Sequence, residues 1–189
     1  MQKLYFVLLA SLFAITLASC SQEEKSKTQN IKEPNAQIQD DSLDWIVDEL
    51  VIKWNNNKDY SIETLEAMPE EFYGFVPIDS MDSFSEQATH IVSTMHWQME
   101  KLGFKELPEF KDESKAELIT SYESLFDYLI SELESMEGYE LKETVGVFYG
   151  ASTKRRLLNL LDNHLAHHRG QMMVYLRLKG VKPPKYRGW

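Results

Sequence analysis

The sequence predicts an all-α protein, a four-helix bundle that forms a single domain. Apolar residues recur three and four positions apart in four long segments, as on the buried face of a helix. Pro69, Gly103, Gly138 and Gly180 follow these segments, and proline and glycine are common where helices end. The chain from residue 41 to 189 has about 149 residues, the size of one ordinary domain.

Residues 1–19 have the pattern of a bacterial lipoprotein signal peptide. Lys3 is the only charged residue of this stretch, and the apolar run after it is shorter than the roughly 20 residues of a membrane-spanning helix. Leu17-Ala18-Ser19-Cys20 resembles the lipobox, where such a precursor is cut before a cysteine that carries lipid. We therefore predict lipidation of Cys20. An ordinary secretory signal followed by a chance cysteine is the alternative.

Residues 20–40 are predicted to be the lipidated cysteine and a disordered tether. The tether consists mainly of Gln, Glu, Lys, Asn and Ser, and such a composition buries too little apolar surface to become ordered. A lipid-anchored domain on this tether is expected in the cell envelope. Lipoproteins retained at the inner membrane often have aspartate after the cysteine, and this chain has Ser21, so the resemblance favours the outer membrane.

The charge of the chain argues against nucleic acid as a partner. The formal net charge is −10, whereas nucleic-acid binding needs clustered Lys and Arg. The basic clusters at 154–156 and 182–187 are interpreted as solvated charges. With its single cysteine lipidated, the chain has no internal disulfide. The expected partners are the membrane, through the lipid, and an unidentified small-molecule substrate; a homodimer is left open.

The first helix is predicted to begin near Asp41 or Ser42 and to end before Pro69, where the chain loses a backbone donor. Asn55–Asn57 either interrupts this helix or marks an exposed turn of it, and we expect one long helix. The aromatic-rich loop 69–82 is expected to cover one end of the bundle. The apolar positions of the helix are Leu43, Trp45, Ile46, Leu50, Val51, Trp54, Tyr60, Ile62, Leu65 and Met68.

The second and third helices follow the same rules. The second is predicted to begin near Ser83 or Ser85 and to end at about Leu102, before a glycine suited to a left-handed cap. The third is predicted over residues 113–136. Segment 139–150 contains two short strand-like phrases, and we interpret it as a loop.

The fourth helix, capped by Ser152 or Thr153, carries the feature that points to function. His164 and His168 are four residues apart and therefore project from one face of the helix. Leucines before them and Met172 after them place the pair in the predicted core-facing stripe. A buried imidazole needs a polar partner, which is either a metal ion or a group inside the bundle. Imidazole is the commonest metal ligand, so we favour the metal.

A metal site of this kind needs a third protein ligand. The second helix offers His90 and His96, whose six-residue spacing turns them away from each other, so at most one faces the site. His90 is adjacent to the apolar Ile91, and His96 is expected to face solvent or a neighbouring loop. The zinc-protease motif His-Glu-x-x-His and the Glu-x-x-His repeats of di-iron bundles are absent from the sequence.

Three phrases of the sequence together resemble the DinB-like metal-binding four-helix bundles, a family that also includes thiol-dependent transferases. The phrases are Ala88-Thr89-His90-Ile91, the segment 163–171 around the histidine pair, and the segment 175–184 that ends in two prolines. The resemblance implies that His90, His164 and His168 bind a divalent metal ion, usually zinc or nickel, with open coordination positions. The family often has a glutamate where this chain has Leu165, and no other residue visibly replaces it.

The resemblance implies a metal-dependent enzyme, a hydrolase or a thiol-dependent transferase, whose nucleophile is a metal-bound water or thiol. The alternative is a non-catalytic metal-binding or partner-binding lipoprotein of the envelope. Arg169 and Gln171 flank the pair and either orient an anionic substrate or a bound water, or are an exposed arginine and a glutamine lining the bundle. Tyr175 is expected to be a buried aromatic residue of the bundle.

Overall fold

The computed structural model describes residues 43–188, which form four long helices and one β-hairpin. The helices are α1 (Asp44–Ala67), α2 (Phe84–Leu102), α3 (Lys115–Glu134) and α4 (Lys154–Leu178), and the strands are β1 (Thr144–Val147) and β2 (Gly150–Thr153). Short 3₁₀ helices span Glu70–Phe72 and Gly138–Lys142. The predicted signal peptide, Cys20, the tether and the predicted caps Asp41 and Ser42 lie outside the described residues. None of the described helices is long and apolar enough to cross a membrane.

The four helices form a bundle in which α1 and α2 occupy opposite corners and each packs against both α3 and α4. The helix α1 is antiparallel to α3, because the Gly138 N–H donates to Asp44 Oδ1 at one end and Lys115 Nζ donates to the Met68 carbonyl at the other. The helix α2 is antiparallel to α4, and at one end of this pair Tyr175 donates its hydroxyl proton to the Asp82 carbonyl. The predicted all-α four-helix bundle is thus confirmed.

The helix ends match the local sequence signals. Ser83 caps α2 in a capping box, in which the Glu86 N–H donates to Ser83 Oγ and the Ser83 N–H donates to Glu86 Oε2 at 2.7 Å. The helix ends at Gly103 in the left-handed region, with φ of 92°. Thr153 caps α4. The helix α3 is shorter than predicted, since it covers Lys115–Glu134.

The helix α1 is continuous through its three asparagines. Asn57 is buried, so this run is neither an interruption nor simply an exposed turn. The core between the helices is made of aromatic, leucine and methionine side chains, with Trp54 and Phe126 at 6.1 Å between ring centroids. Burial of this apolar face, at roughly 25 cal/mol per Å², is the main source of stability for helices of this kind.

The predicted loop at 139–150 is wrong in its second half, where β1 and β2 pair as an antiparallel hairpin. The turn consists of Phe148 and Tyr149, and Gly150 supports it with φ of 113°, a conformation that favours glycine. The segment lacks the Asn-Gly or Asp-Gly pair typical of two-residue hairpin turns. The hairpin is stabilised instead by packing on the bundle, because β1 lies against α2 and β2 lies against α4.

An ion-paired lysine anchors the hairpin to the start of α4. Lys154 Nζ is 3.0 Å from Glu140 Oε2 and 2.8 Å from Glu143 Oε2. Its side chain is 12% exposed, so this member of the first basic cluster is not the solvated charge that the sequence predicted. The pairing lowers the pKa of Glu140 through its hydrogen bond with the lysine.

Candidate metal centre

The packing of α2 against α4 brings His90, His164 and His168 together. Each offers one ring nitrogen such that these three atoms lie within 4.8 Å of one another. His90 Nε2 is 3.1 Å from His164 Nε2, and the centroids of the His90 and His168 rings are 4.5 Å apart. His90 is exposed and the other two are half-buried. The cluster is therefore accessible from solvent on the His90 side.

The sequence predicted the histidine pair within the core-facing stripe of α4. In the structure the pair lies at the edge of that stripe, and both side chains are half-buried. The buried line of the helix passes through Leu161, Leu165 and Arg169. Leu165 and Arg169 each follow a histidine of the pair by one position and so lie roughly 100° around the helix from it. The leucines hold α4 against its neighbours. This packing leaves the two imidazoles in the crevice between α4 and α2, where His90 meets them.

A buried glutamine orients one of the three histidines. Gln87 Oε1 is 2.7 Å from His168 Nδ1, and Gln87 is 4% exposed. A carbonyl oxygen accepts, so His168 carries its proton on Nδ1 and leaves Nε2 for a metal ion. Sequence reasoning missed this residue, although it precedes His90 by three positions and therefore lies on the same side of α2.

Replacing Gln87 by alanine is expected to weaken metal binding by about ten- to a hundredfold, the usual cost of losing a hydrogen bond to a metal-binding histidine. The ring of His168 would lose the acceptor that selects its tautomer. Competition titration with a chromogenic chelator measures the affinity. Gln98→Ala is the matched control, because Gln98 is a buried glutamine on the same helix whose Oε1 has no hydrogen-bond partner within residues 43–188. Equal affinities in the two variants would contradict the orienting role.

The electrostatics of the cluster favour neutral imidazoles. Burial, followed by the neighbouring His164, His90 and His167, lowers the pKa of His168 from 6.5 to about 4. Burial and the neighbouring His90 and His167 also lower the pKa of His164. Near neutral pH both rings are therefore uncharged, which is the form that binds metal.

The donor set fits a divalent transition metal. With bonds of 2.0–2.1 Å, two ligands at a tetrahedral ion are about 3.3 Å apart, close to the 3.1 Å between His90 Nε2 and His164 Nε2. Three neutral imidazoles are a common ligand set for zinc, nickel and copper. Within residues 43–188 the group contains no carboxylate. The group is open to solvent on the exposed side of His90.

A depression of about 530 Å³ opens beside His90. Carboxylates and hydroxyl groups of α2 and of the loops before α2 and α3 line it: Asp82, Ser85, Glu86, Thr89, Ser93 and Asp112. A small molecule in this depression would contact His90 directly.

Arg169 takes neither of the two roles considered from the sequence. It is buried, with Nη1 donating to Ser61 Oγ at 3.1 Å and Nη2 donating to Asn57 Oδ1 at 3.0 Å. The guanidinium also lies 4.6 Å from the ring centroid of Tyr60. These contacts are with α1, so Arg169 joins two helices.

The remaining histidines lie outside the cluster of ligand atoms. His167 Nε2 contacts the Gln171 amide at 2.9 Å, and His96 packs against Phe110 at 5.7 Å between ring centroids. The loop contact of His96 agrees with its expected position. Tyr175 is buried, as expected, and its hydroxyl group is held by the Asp82 carbonyl.

Comparison with known proteins gives one family and a shared fold. The model of the DinB family matches residues 38–188. A DinB-like protein from Bacillus cereus superposes with a TM-score of 0.67 at 23% identity, covering 74% of this chain and 97% of that chain. A DinB-like protein from Bacillus subtilis superposes with a TM-score of 0.63 at 22% identity, covering 75% of this chain and 99% of that chain. No curated protein matches the chain in sequence.

Proposed function

Because this chain belongs to the DinB family, we propose that it is a divalent-metal-dependent enzyme in which His90, His164 and His168 bind the ion. The convergence of three ring nitrogens within 4.8 Å carries this proposal. The lowered pKa of His164 and of His168, caused chiefly by burial, and the orienting contact of Gln87 support it. Zinc and nickel are the proposed ions, since both accept imidazole ligands readily.

A bound ion of this type lowers the pKa of a coordinated water or thiol and so supplies a nucleophile near neutral pH. We therefore propose hydrolysis or thiol-dependent transfer as the reaction class. In this proposal the three imidazoles bind the ion, Gln87 keeps the proton of His168 on Nδ1, and the open side at His90 admits the substrate. The depression beside His90 is the proposed approach.

A non-catalytic binding protein is the second candidate. Among the described residues no carboxylate is hydrogen-bonded to the three histidines, so a general base of that type is not in place. In this alternative the metal binds without chemistry and the surface of the bundle engages a partner.

Elemental analysis of the protein from residue 21 onward, followed by activity screening, tests both candidates. We expect about one divalent ion per chain. Turnover of thioester, ester or electrophilic thiol-acceptor substrates by the zinc or nickel form, absent from the chelated form, would support the enzyme. Stoichiometric metal without turnover would support the binding protein. Absence of metal after reconstitution with both ions would contradict the enzyme and favour a partner-binding protein whose histidines are structural.

We also propose that the protein is anchored in the cell envelope, in the outer membrane, by lipid on Cys20. The proposal rests on the Leu-Ala-Ser-Cys phrase and the polar residues after it. Cys20→Ala is expected to move the protein from the membrane fraction to the soluble fraction, detected by immunoblotting after ultracentrifugation. Ser26→Ala is the control, because Ser26 lies in the tether and its replacement leaves the cleavage phrase unchanged. Unchanged partitioning of Cys20→Ala would contradict lipid anchoring.

A further inference from the structure

Two exposed aromatic side chains of the hairpin turn, Phe148 and Tyr149, group with the half-buried Trp97 of α2, and the three are here named the hairpin aromatic cluster. The Trp97 and Phe148 ring centroids are 6.0 Å apart, and those of Phe148 and Tyr149 are 4.9 Å apart with the rings edge to face. Phe148 is 82% exposed. An apolar ring held in water costs free energy in proportion to its exposed area, and grouped exposed apolar residues commonly mark binding surfaces.

The hairpin aromatic cluster lies along the same helix face as the histidines. Trp97 follows His90 by seven residues, which places it within roughly 20° of the same direction and about 10 Å farther along α2. Half-buried Thr94 lies between them on this face. Leu160 of α4, one turn before His164, is also half-buried. The α2–α4 pair thus carries the histidines and, about two turns away, the edge of the aromatic cluster.

The fold holds the cluster in this position. The base of the hairpin pairs Thr144 with Thr153, the cap of α4, and the ion pairs of Lys154 secure it. The tip reaches Trp97, so Phe148 is placed by a paired strand on each side and by an aromatic contact. A ring positioned in this way is available to a ligand without a large loss of conformational entropy.

We propose that the hairpin aromatic cluster is a substrate subsite that binds an aromatic or similarly flat apolar group, while another group of the same molecule reaches the metal at His90, His164 and His168. This inference rests on the proposed metal-dependent function and specifies its class of substrate. Aromatic rings stack offset or edge to face with centroids 4.5–7 Å apart, and a third ring can add to the existing pair in that range. The separation of about 10 Å along α2 requires a linker between the two groups of the substrate.

A pair of metal-binding probes tests the subsite without knowledge of the substrate. Hexanohydroxamic acid and its ω-phenyl derivative share a chelating group and a chain, and only the second carries a ring. Calorimetric titration of the zinc form should show the phenyl compound binding about tenfold more tightly. In Phe148→Ala the ratio of the two affinities should fall to about twofold, while the affinity for hexanohydroxamic acid stays unchanged. Phe148 is at a hairpin tip and largely exposed, so the variant is expected to fold.

Ile52→Ala is the control, because Ile52 is 58% exposed on α1, at the opposite corner of the bundle. It should retain the full advantage of the phenyl compound. Binding of hexanohydroxamic acid with no phenyl advantage would overturn the subsite and leave the metal centre intact. Failure to bind zinc or either probe would overturn the proposed function and the subsite with it. A dimer that dissociates in Phe148→Ala, without a phenyl advantage, would assign the cluster to contact between two copies.

Discussion

Replacing His164 or His168 by alanine is expected to reduce bound metal from about one ion per chain to less than about a tenth. Each substitution leaves two histidines, and a pair of imidazoles without a third protein ligand does not retain zinc or nickel through gel filtration. The two side chains come from adjacent turns of α4 and converge with His90. Elemental analysis of the purified variants, alongside circular dichroism to verify folding, measures the effect.

His96→Ala and His167→Ala are the matched controls and should keep the metal of the parent protein. His96 packs against Phe110, and His167 contacts Gln171, so neither contributes to the cluster of ligand atoms. Loss of metal in all four variants would indicate a general effect of removing a histidine. Full metal content in a folded His164→Ala or His168→Ala variant would contradict the assignment of that ligand.

Replacing Arg169 by alanine is expected to lower the free energy of unfolding by about 3 kcal/mol. Hydrogen bonds to a charged group contribute about 1.5–3 kcal/mol, and the truncation leaves Asn57 Oδ1 and Ser61 Oγ without this donor in a buried site. Asn57 also donates to Asp162 Oδ1 at 3.0 Å, so the arginine is one end of a polar connection between α1 and α4. Burial lowers the pKa of Arg169, which indicates how poorly solvated its charge is.

Urea denaturation of the metal-free protein measures this change. Arg177→Ala is the matched control, because Arg177 lies on the same helix and is exposed. Among the described residues its hydrogen bond is to the Met173 carbonyl within its own helix. Its effect should stay within about 0.5 kcal/mol. Arg169→Ala should also keep its metal, since the guanidinium contacts α1 and not the histidines. Equal midpoints for the two arginine variants would contradict the buried role of Arg169.

The helices were predictable because their signals are local. Ser83, Gly103 and Thr153 act within one turn of themselves, and apolar spacing reports the buried face of each helix without knowledge of its neighbours. The pair His164 and His168 was visible for the same reason, since a separation of four residues fixes a common direction. His90 was chosen as the third ligand from the family resemblance. The roles of His90, His164 and His168 as metal ligands stay predictions.

The tertiary structure decided the features that depend on which surfaces meet. Gln87 reaches His168 only because α2 packs antiparallel to α4, a contact between residues 81 positions apart in sequence. Arg169 is buried because α1 supplies Asn57 and Ser61 as acceptors, although an isolated arginine beside two histidines is most simply expected at a surface.

The sequence by itself therefore determined the four helices, the bundle class and the histidines that point to a metal. The structure alone decided the hairpin, its aromatic contact with Trp97 and the polar partners of His168 and Arg169. Helix formation is encoded in neighbouring residues, whereas the pairing of polar and aromatic groups depends on the antiparallel packing of elements far apart in the chain. Hydrogen bonds and ring contacts act over a few ångströms, so only the packed bundle specifies them.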